Sequence, residues 1–134
     1  MIKPLNILLI DDSVKTQDMF GFALNDLQIN YSCRFAQNVD QAINSLRLKP
    51  ADFIFVDVNM PALSSFRTIK RIVKARFIND ATVIIYTDHN ESELCKKAMK
   101  LGVMLALKKK NEIFELIADL KNILFRNDKL QPAI

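Results

Sequence analysis

Phe53-Ile54-Phe55-Val56-Asp57-Val58-Asn59-Met60-Pro61 is the stretch on which the reading of the chain turns. Four consecutive large apolar residues between Asp52 and Asp57 predict a strand buried on both faces, the kind found inside a parallel sheet. Asp57 then stands at the carboxyl end of that strand. In an open α/β sheet that edge is where ligands bind, because helices cover both faces and the loops leaving the strands frame a crevice.

Working outward, Leu5 to Ile10 is nearly continuous in apolar residues and predicts a first interior strand that ends in Asp11-Asp12-Ser13. A helix follows, with Met19, Phe20, Ala23, Leu24 and Leu27 on its apolar side and Asp12 or Ser13 suited to cap it. Tyr31 to Phe35 alternates as an edge strand does. Asn38 and Gln41 have capping-box spacing for a second helix that buries Val39, Ala42, Ile43 and Leu46 and stops at Pro50. After the central strand, Met60 to Ser65 reads as a loop, and Phe66, Ile69, Ile72 and Val73 recur with helical spacing until a turn at Asn79-Asp80. Thr82 to Tyr86 predicts a fourth strand that delivers Thr87. Asp88 or Asn90 can cap the next helix, which carries Leu94, Ala98 and Leu101, with Gly102 as its left-handed terminus. Val103 to Leu107 predicts a fifth strand ahead of Lys108, Lys109 and Lys110. A last helix from about Asn111 buries Ile113, Ile117, Leu120 and Leu124. Five strands alternating with five helices imply right-handed βαβ crossovers.

Composition removes several classes. At 134 residues and 50% hydrophobic content, the chain suits a single core. The expectation is one domain over residues 1–134, with its core at roughly 4–126 and a polar tail at 127–134. No run approaches the roughly 18 apolar residues of a membrane span, and Met1-Ile2-Lys3-Pro4 lacks a signal peptide's apolar stretch. The expected compartment is the cytoplasm, with no membrane partner. Cys33 and Cys95 lack metal-site spacing. The net charge of +4 is modest. Arg67, Lys70, Arg71, Lys74 and Arg76 gather in one segment without aromatic or glycine-rich elements beside them, so a wet helix face is preferred to a nucleic-acid surface.

Strand ends alone bring Asp11, Asp12, Asp57, Thr87 and a lysine to one edge. Three crowded carboxylates repel one another unless a cation compensates them. An oxygen-only, charge-dense set suits Mg²⁺ rather than zinc, which prefers nitrogen and sulfur. With Mg²⁺, Thr87 and the lysine neutralising a phosphoryl group, Asp57 is free to act as an in-line nucleophile and form an aspartyl phosphate.

The ordered pieces Ile7 to Ser13, Phe55 to Pro61, Val83 to Thr87, and Gly102 followed by Lys109 resemble the receiver domains of two-component response regulators, of the stand-alone type similar to the chemotaxis regulator. The resemblance covers nearly the whole chain. It implies a flavodoxin-like, doubly wound five-stranded parallel sheet in the order 2-1-3-4-5 with five helices. It also implies that Asp57 is the phosphoacceptor and a Mg²⁺ ligand, Asp12 a direct ligand with Asp11 acting partly through water, and the Asn59 backbone carbonyl a further ligand. Thr87 would bind the phosphoryl oxygen and Lys109 would pair with it. The implied partners are a histidine kinase or phosphotransfer protein and a downstream protein target. No enzymatic activity is implied beyond the domain's own phosphorylation and dephosphorylation.

Four positions depart from the family pattern. Asp88 replaces the usual Ala or Gly after the switch hydroxyl, and Ala106 replaces a switch aromatic. Ser64-Ser65 stands where an acid and Gly are common, so a left-handed conformation there would cost roughly 1 to 2 kcal/mol. Lys110 replaces a proline. A cis bond before it would cost roughly 2.5 to 4 kcal/mol, so a trans bond is expected, with Lys109 either at an altered angle to the site or swung away. Asp88, Ala106 and Lys110 support the alternative of a pseudo-receiver serving as a constitutive interaction module. A phosphatase with an aspartyl nucleophile is disfavoured because position 59 is Asn where a second acid is needed. A flavodoxin-like cofactor carrier is disfavoured because acids occupy the loop where flavin phosphate needs amides and hydroxyls.

Overall fold

Five apolar runs become five parallel strands whose two faces are buried separately, and this explains why so little of the strand sequence alternates. The computed structural model describes residues 3–58, 62–76, 80–88 and 92–125. In chain order these form β1 (Leu5–Ile10), α1 (Val14–Asp26), β2 (Tyr31–Ala36), α2 (Val39–Leu48), β3 (Phe53–Val56), α3 (Ala62–Arg76), β4 (Thr82–Thr87), α4 (Ser92–Lys100), β5 (Leu105–Lys108) and α5 (Ile113–Leu124). The sheet order is β2-β1-β3-β4-β5, the doubly wound order expected. Leu8, Ile10, Ile54, Val56, Val83 and Ile85 face α2, α3 and α4. Their neighbours Ile7, Leu9, Phe53, Phe55, Ile84 and Tyr86 face α1 and α5.

Register carries the functional edge. Ile10 pairs with Val56, Val56 with Ile85, and Thr87 with Lys108. The ladder continues one residue further, with Asp57 N–H donating to the Ile10 carbonyl at 2.9 Å and Asp11 N–H to the Ala36 carbonyl at 2.9 Å. Asp11 and Asp57 therefore leave the sheet at the same level. Local chemistry holds the helices that flank them. Ser13 caps α1 by accepting from Thr16 N–H at 3.2 Å. Asn38 caps α2 through Gln41 N–H at 2.9 Å, and the Gln41 side chain returns to Gln37 N–H at 2.9 Å. That is a capping box displaced by one residue. Lys49, ahead of Pro50, is extended at φ −152°, ψ 126°, as the proline ring requires, and α2 ends there.

Several boundaries differ from expectation. β5 begins at Leu105 rather than Val103. The end of α4 claims the earlier residue: Gly102, at φ 110°, donates to the Met99 carbonyl and Val103 N–H reaches back to the Ala98 carbonyl, the two bonds of a Schellman motif. α3 begins at Ala62, so Ser64 and Ser65 lie in helix rather than loop. Positive φ among non-glycine described residues occurs only at Gln28 and Asp80, so no left-handed cost falls on the serines. α5 starts at Ile113 with Glu112 as N-cap. Its fully buried residues are Leu116, Leu120, Ile123 and Leu124, with Ile113 and Ile117 partly buried. The buried stripe is wider than the predicted one because α5 packs on α1 as well as on the sheet. β2 is an edge strand, but most of it is half-buried rather than cleanly alternating. The expected turn residue Asn79, the alternative cap Asn90 and the tail 127–134 lie outside the described residues.

Candidate functional site

The β1–α1 turn fixes Asp11 before any ligand is considered. Asp11 Oδ1 accepts from Ser13 N–H at 2.9 Å, and the Asp11 carbonyl accepts from the Gln17 side-chain amide at 2.9 Å. The other carboxylate oxygen, Oδ2, takes the Lys109 ammonium at 2.8 Å. The Asp11 side chain is fully buried, and such a carboxylate is tolerable only with this degree of pairing. Lys109 is shared, its Nζ also lying 3.3 Å from Asp57 Oδ2. Asp12, the next residue, is exposed. One carboxylate oxygen from each of Asp11, Asp12 and Asp57 can be chosen so that all three lie within 4.8 Å of one another.

Lys109 comes from the end of β5, and its placement answers the question raised by Lys110. Lys109 N–H donates to the Thr87 carbonyl at 2.7 Å, extending the β4–β5 ladder by one bond. The Lys109–Lys110 bond is trans, as expected, and the ammonium nonetheless reaches Asp11 and Asp57. Burial acts to lower the Lys109 pKa, but the hydrogen bond to Asp11 and the charges of Asp57 and Asp11 outweigh it. The net shift is upward. Beneath the ammonium, 5.5 Å away, lies the ring of Tyr86, which packs with Phe20 and Phe55 as an apolar floor. Burial, then the charges of Asp11, Asp119, Asp88 and Asp57, push the Tyr86 hydroxyl up, so this residue stays neutral.

The crevice above these groups has a volume of about 480 Å³. Asp11, Asp12, Asp57 and Lys109 all line it. Thr87 lies at the same sheet edge but is buried and does not contribute to the lining, whereas its exposed neighbour Asp88 does. Two contributions went unanticipated: Thr68 of α3, and Gln37, Asn38 and Val39 at the start of α2. Nothing in the pattern around Thr68 distinguishes it from any polar helix residue; the capping signal at Asn38 does mark a chain segment that turns at this edge. Ala106 is partly buried against the α2–α4 side of the core, where the family pattern has an aromatic. The Asn59 carbonyl lies outside the described residues.

The donor set fits a hard divalent cation. All three candidate ligands are carboxylates, and their three negative charges against one Lys109 positive charge leave a local excess of two. A doubly charged, oxygen-preferring ion neutralises that excess, and Mg²⁺ has this chemistry.

A doubly wound α/β module with an acidic crevice at the carboxyl edge of its sheet is thereby defined. The chain belongs to the response regulator receiver domain family, whose sequence model matches residues 7–121. It is 27% identical over 120 residues to the phosphate regulon transcriptional regulatory protein PhoB of Pseudomonas aeruginosa, covering 90% of this chain and 52% of that protein. It is 30% identical over 124 residues to the transcriptional regulatory protein CrdR of Helicobacter pylori, covering 92% of this chain and 56% of that protein. The chain spans about half the length of these relatives. Among solved structures, the CheX-CheY-BeF3-Mg+2 complex from Borrelia burgdorferi contains a similar chain. That match has a TM-score of 0.72 at 20% identity and covers 90% of each chain, a likeness of fold. No helix among the described residues is long and apolar enough to cross a membrane.

Proposed function

We propose that the chain is a phosphoacceptor of a two-component phosphorelay, phosphorylated on Asp57 with Mg²⁺ in the crevice, and that it signals by binding a downstream protein. The observation that carries this reading is the Lys109 ammonium shared between Asp11 and Asp57, at 2.8 and 3.3 Å, beside a third carboxylate. Asp57 lines the crevice as a nucleophile, with the Lys109 ammonium at its carboxylate and two further carboxylates placed to hold the cation that would balance added negative charge. An Asp57 oxygen would attack phosphorus, the P–N bond of a phosphohistidine donor would break, and its electron pair would leave with the imidazole. Lys109 would follow the charge from the carboxylate to the phosphoryl oxygens. Asp11, held by Ser13 N–H, would keep Lys109 in place and, with Asp12, Asp57 and the Asn59 carbonyl, would hold the metal. Thr87 would contact a phosphoryl oxygen, which requires its hydroxyl to become accessible from its buried position. A bound Mg²⁺ would supply neutralisation of the transferring phosphoryl oxygens.

The donor in this reading is a histidine kinase or phosphotransfer protein, the compartment is the cytoplasm, and residues 1–134 act as one receiver domain. The activity is the domain's own phosphorylation and dephosphorylation rather than turnover of a separate substrate. The pseudo-receiver is the alternative, favoured by buried Thr87, by Asp88 in the lining and by the small side chain of Ala106. Intact mass after incubation with Mg²⁺ and a small acyl phosphate separates the two. Phosphoryl uptake by the wild type, absent in Asp57→Asn and absent with excess chelator, is the expected result. A wild type that takes up nothing, even from a cognate kinase, leaves the pseudo-receiver as the function.

A further inference from the structure

Lys109 enters the crevice from a loop, and its neighbour turns the other way. Lys110 Nζ lies 3.5 Å from Asp119 Oδ2 on α5 and 3.5 Å from the Lys108 carbonyl. One side chain thus spans the chain just before Lys109 and the second turn of α5. Asp119 supplies the independent observation: its Oδ2 atom is buried and accepts no hydrogen bond. A carboxylate oxygen withdrawn from water without a hydrogen bond is unfavourable unless an opposite charge faces it, and the ion pair at that atom is Lys110. The Lys110 and Asp119 side chains are 30% and 24% exposed, so the pair is screened less than one on the open surface. The same carboxylate is felt beneath the site, since Asp119 is among the charges acting on Tyr86, whose ring lies under the Lys109 ammonium.

The geometry points to Lys110 and Asp119 as positioning residues: their ion pair pins the β5–α5 loop to α5 and so keeps the Lys109 ammonium on Asp11 and Asp57. Three anchors then define the loop. The Lys109 backbone is bonded to Thr87, the Lys109 side chain to the carboxylates, and the Lys110 side chain to α5. Removing the third leaves Lys109 held by its backbone bond and its ammonium contacts alone, ahead of a loop without a fixed exit. The consequence for phosphoryl uptake rests on the reading of Asp57 as phosphoacceptor; the consequence for the loop does not.

The test therefore uses two measurements on the full chain, with Asp119→Asn and Lys110→Met to break the pair and Lys110→Arg to keep it. Amide hydrogen exchange without any phosphodonor reads the loop through the Lys109 N–H bonded to Thr87. The expected result is exchange at Lys109 faster by about tenfold in both breaking variants, the scale of a local opening that loses one half-buried ion pair, above an exposed pair and below a fully buried one. The Leu9 and Phe55 amides are expected to be unchanged, and Lys110→Arg to match wild type. The rate constant for labelling by acyl phosphate is expected to fall by about tenfold in the same two variants, with apparent donor affinity little altered, as when a transition-state contact is misplaced. Unchanged exchange at Lys109, an equal acceleration at Leu9 and Phe55, or a Lys110→Arg protein that behaves like Lys110→Met would each overturn the proposal. So would altered exchange with unaltered labelling, which would leave the pair as loop structure alone. A wild type that is never labelled counts against the Asp57 reading, and the exchange comparison still decides whether the pair holds the loop.

Discussion

Along the crevice, Asp11 has one carboxylate oxygen bonded to Ser13 N–H and the other to the Lys109 ammonium, whereas at the opposite lip Thr87 is buried and exposed Asp88 takes the lining position. The first lip is set by parallel register plus one long cation that reaches two carboxylates. In the proposed reading the second depends on small side chains that change position when charge arrives, and there the residues depart from the family pattern at Asp88 and Ala106. The difference separates two demands on one site. Gathering charge needs only strand ends in register, while reporting it needs a side chain with somewhere to go.

The largest break in that comparison comes from removing the cation that organises the first lip. Lys109→Met leaves a buried Asp11 carboxylate and the neighbouring Asp57 carboxylate without their shared counter-charge. The expected loss is about 3 kcal/mol of unfolding free energy in urea at pH 7 with chelator, the low end for breaking a buried pair by deleting one partner. Labelling by acyl phosphate should slow by about 10²-fold, as when one electrostatic stabiliser of a transition state is removed. A variant as stable as wild type without metal would mean that the ammonium does not compensate these carboxylates. The pH dependence has a definite sign. Because the folded-state pKa of Lys109 is raised, its contribution is complete below the unfolded value of about 10.4 and is lost as pH rises through the higher folded value. The stability difference between wild type and Lys109→Met should stay level from pH 8 to about pH 10 and shrink above it; a difference that shrinks before pH 9 would contradict the upward shift.

Next in size is the response to Mg²⁺. Asp12 is the exposed member of the carboxylate cluster, and Asp12→Ala removes a hard oxygen donor without touching the Asp11–Lys109 pair. At a Mg²⁺ concentration near 100 times Kd, wild type should gain about 2.7 kcal/mol of stability. Asp12→Ala should gain nothing at that concentration, while its metal-free form is no less stable than wild type because one repelling charge has gone. An unchanged metal titration in Asp12→Ala would remove Asp12 from the ligand set.

The same division decides how much of the molecule the amino-acid sequence disclosed. The strands and the convergence of Asp11, Asp12, Asp57 and a lysine were legible because a strand buried on both faces announces itself as a continuous apolar run, and its last residue falls at the ligand-binding edge; the strand order and the choice of Lys109 came from the resemblance to receiver domains. The start of β5 was not, since Val103 is apolar enough for a strand and only the Schellman bonds assign it to the end of α4. The α5 face was offset because a periodicity does not say that α1 as well as the sheet will cover the helix. Thr68 and the Tyr86 ring beneath Lys109 were missed for a related reason. Each matters through a contact between distant segments that no local pattern encodes. The polarity of Asp88 was legible, but whether it would face the crevice required the fold.

The smallest expected effect sharpens the second lip. Asp88 lines the crevice and carries a negative charge into the path of an anionic donor. Two unit charges about 8 Å apart in water interact by about 0.5 kcal/mol, so a dianionic acyl phosphate approaching to that distance meets about 1 kcal/mol of repulsion. Asp88→Asn removes this charge and keeps the side-chain shape. Labelling should quicken by about fivefold at low salt. At 0.15 M ionic strength, where the screening length is also about 8 Å, the gain should fall to about twofold. The measurement is the labelling rate of wild type and Asp88→Asn across a salt series at fixed Mg²⁺. A gain that does not shrink with salt would assign the effect to shape or hydrogen bonding rather than charge. A slower variant would mean that Asp88 assists uptake. In that case the second lip, like the first, would be built around a carboxylate that its neighbours hold in place.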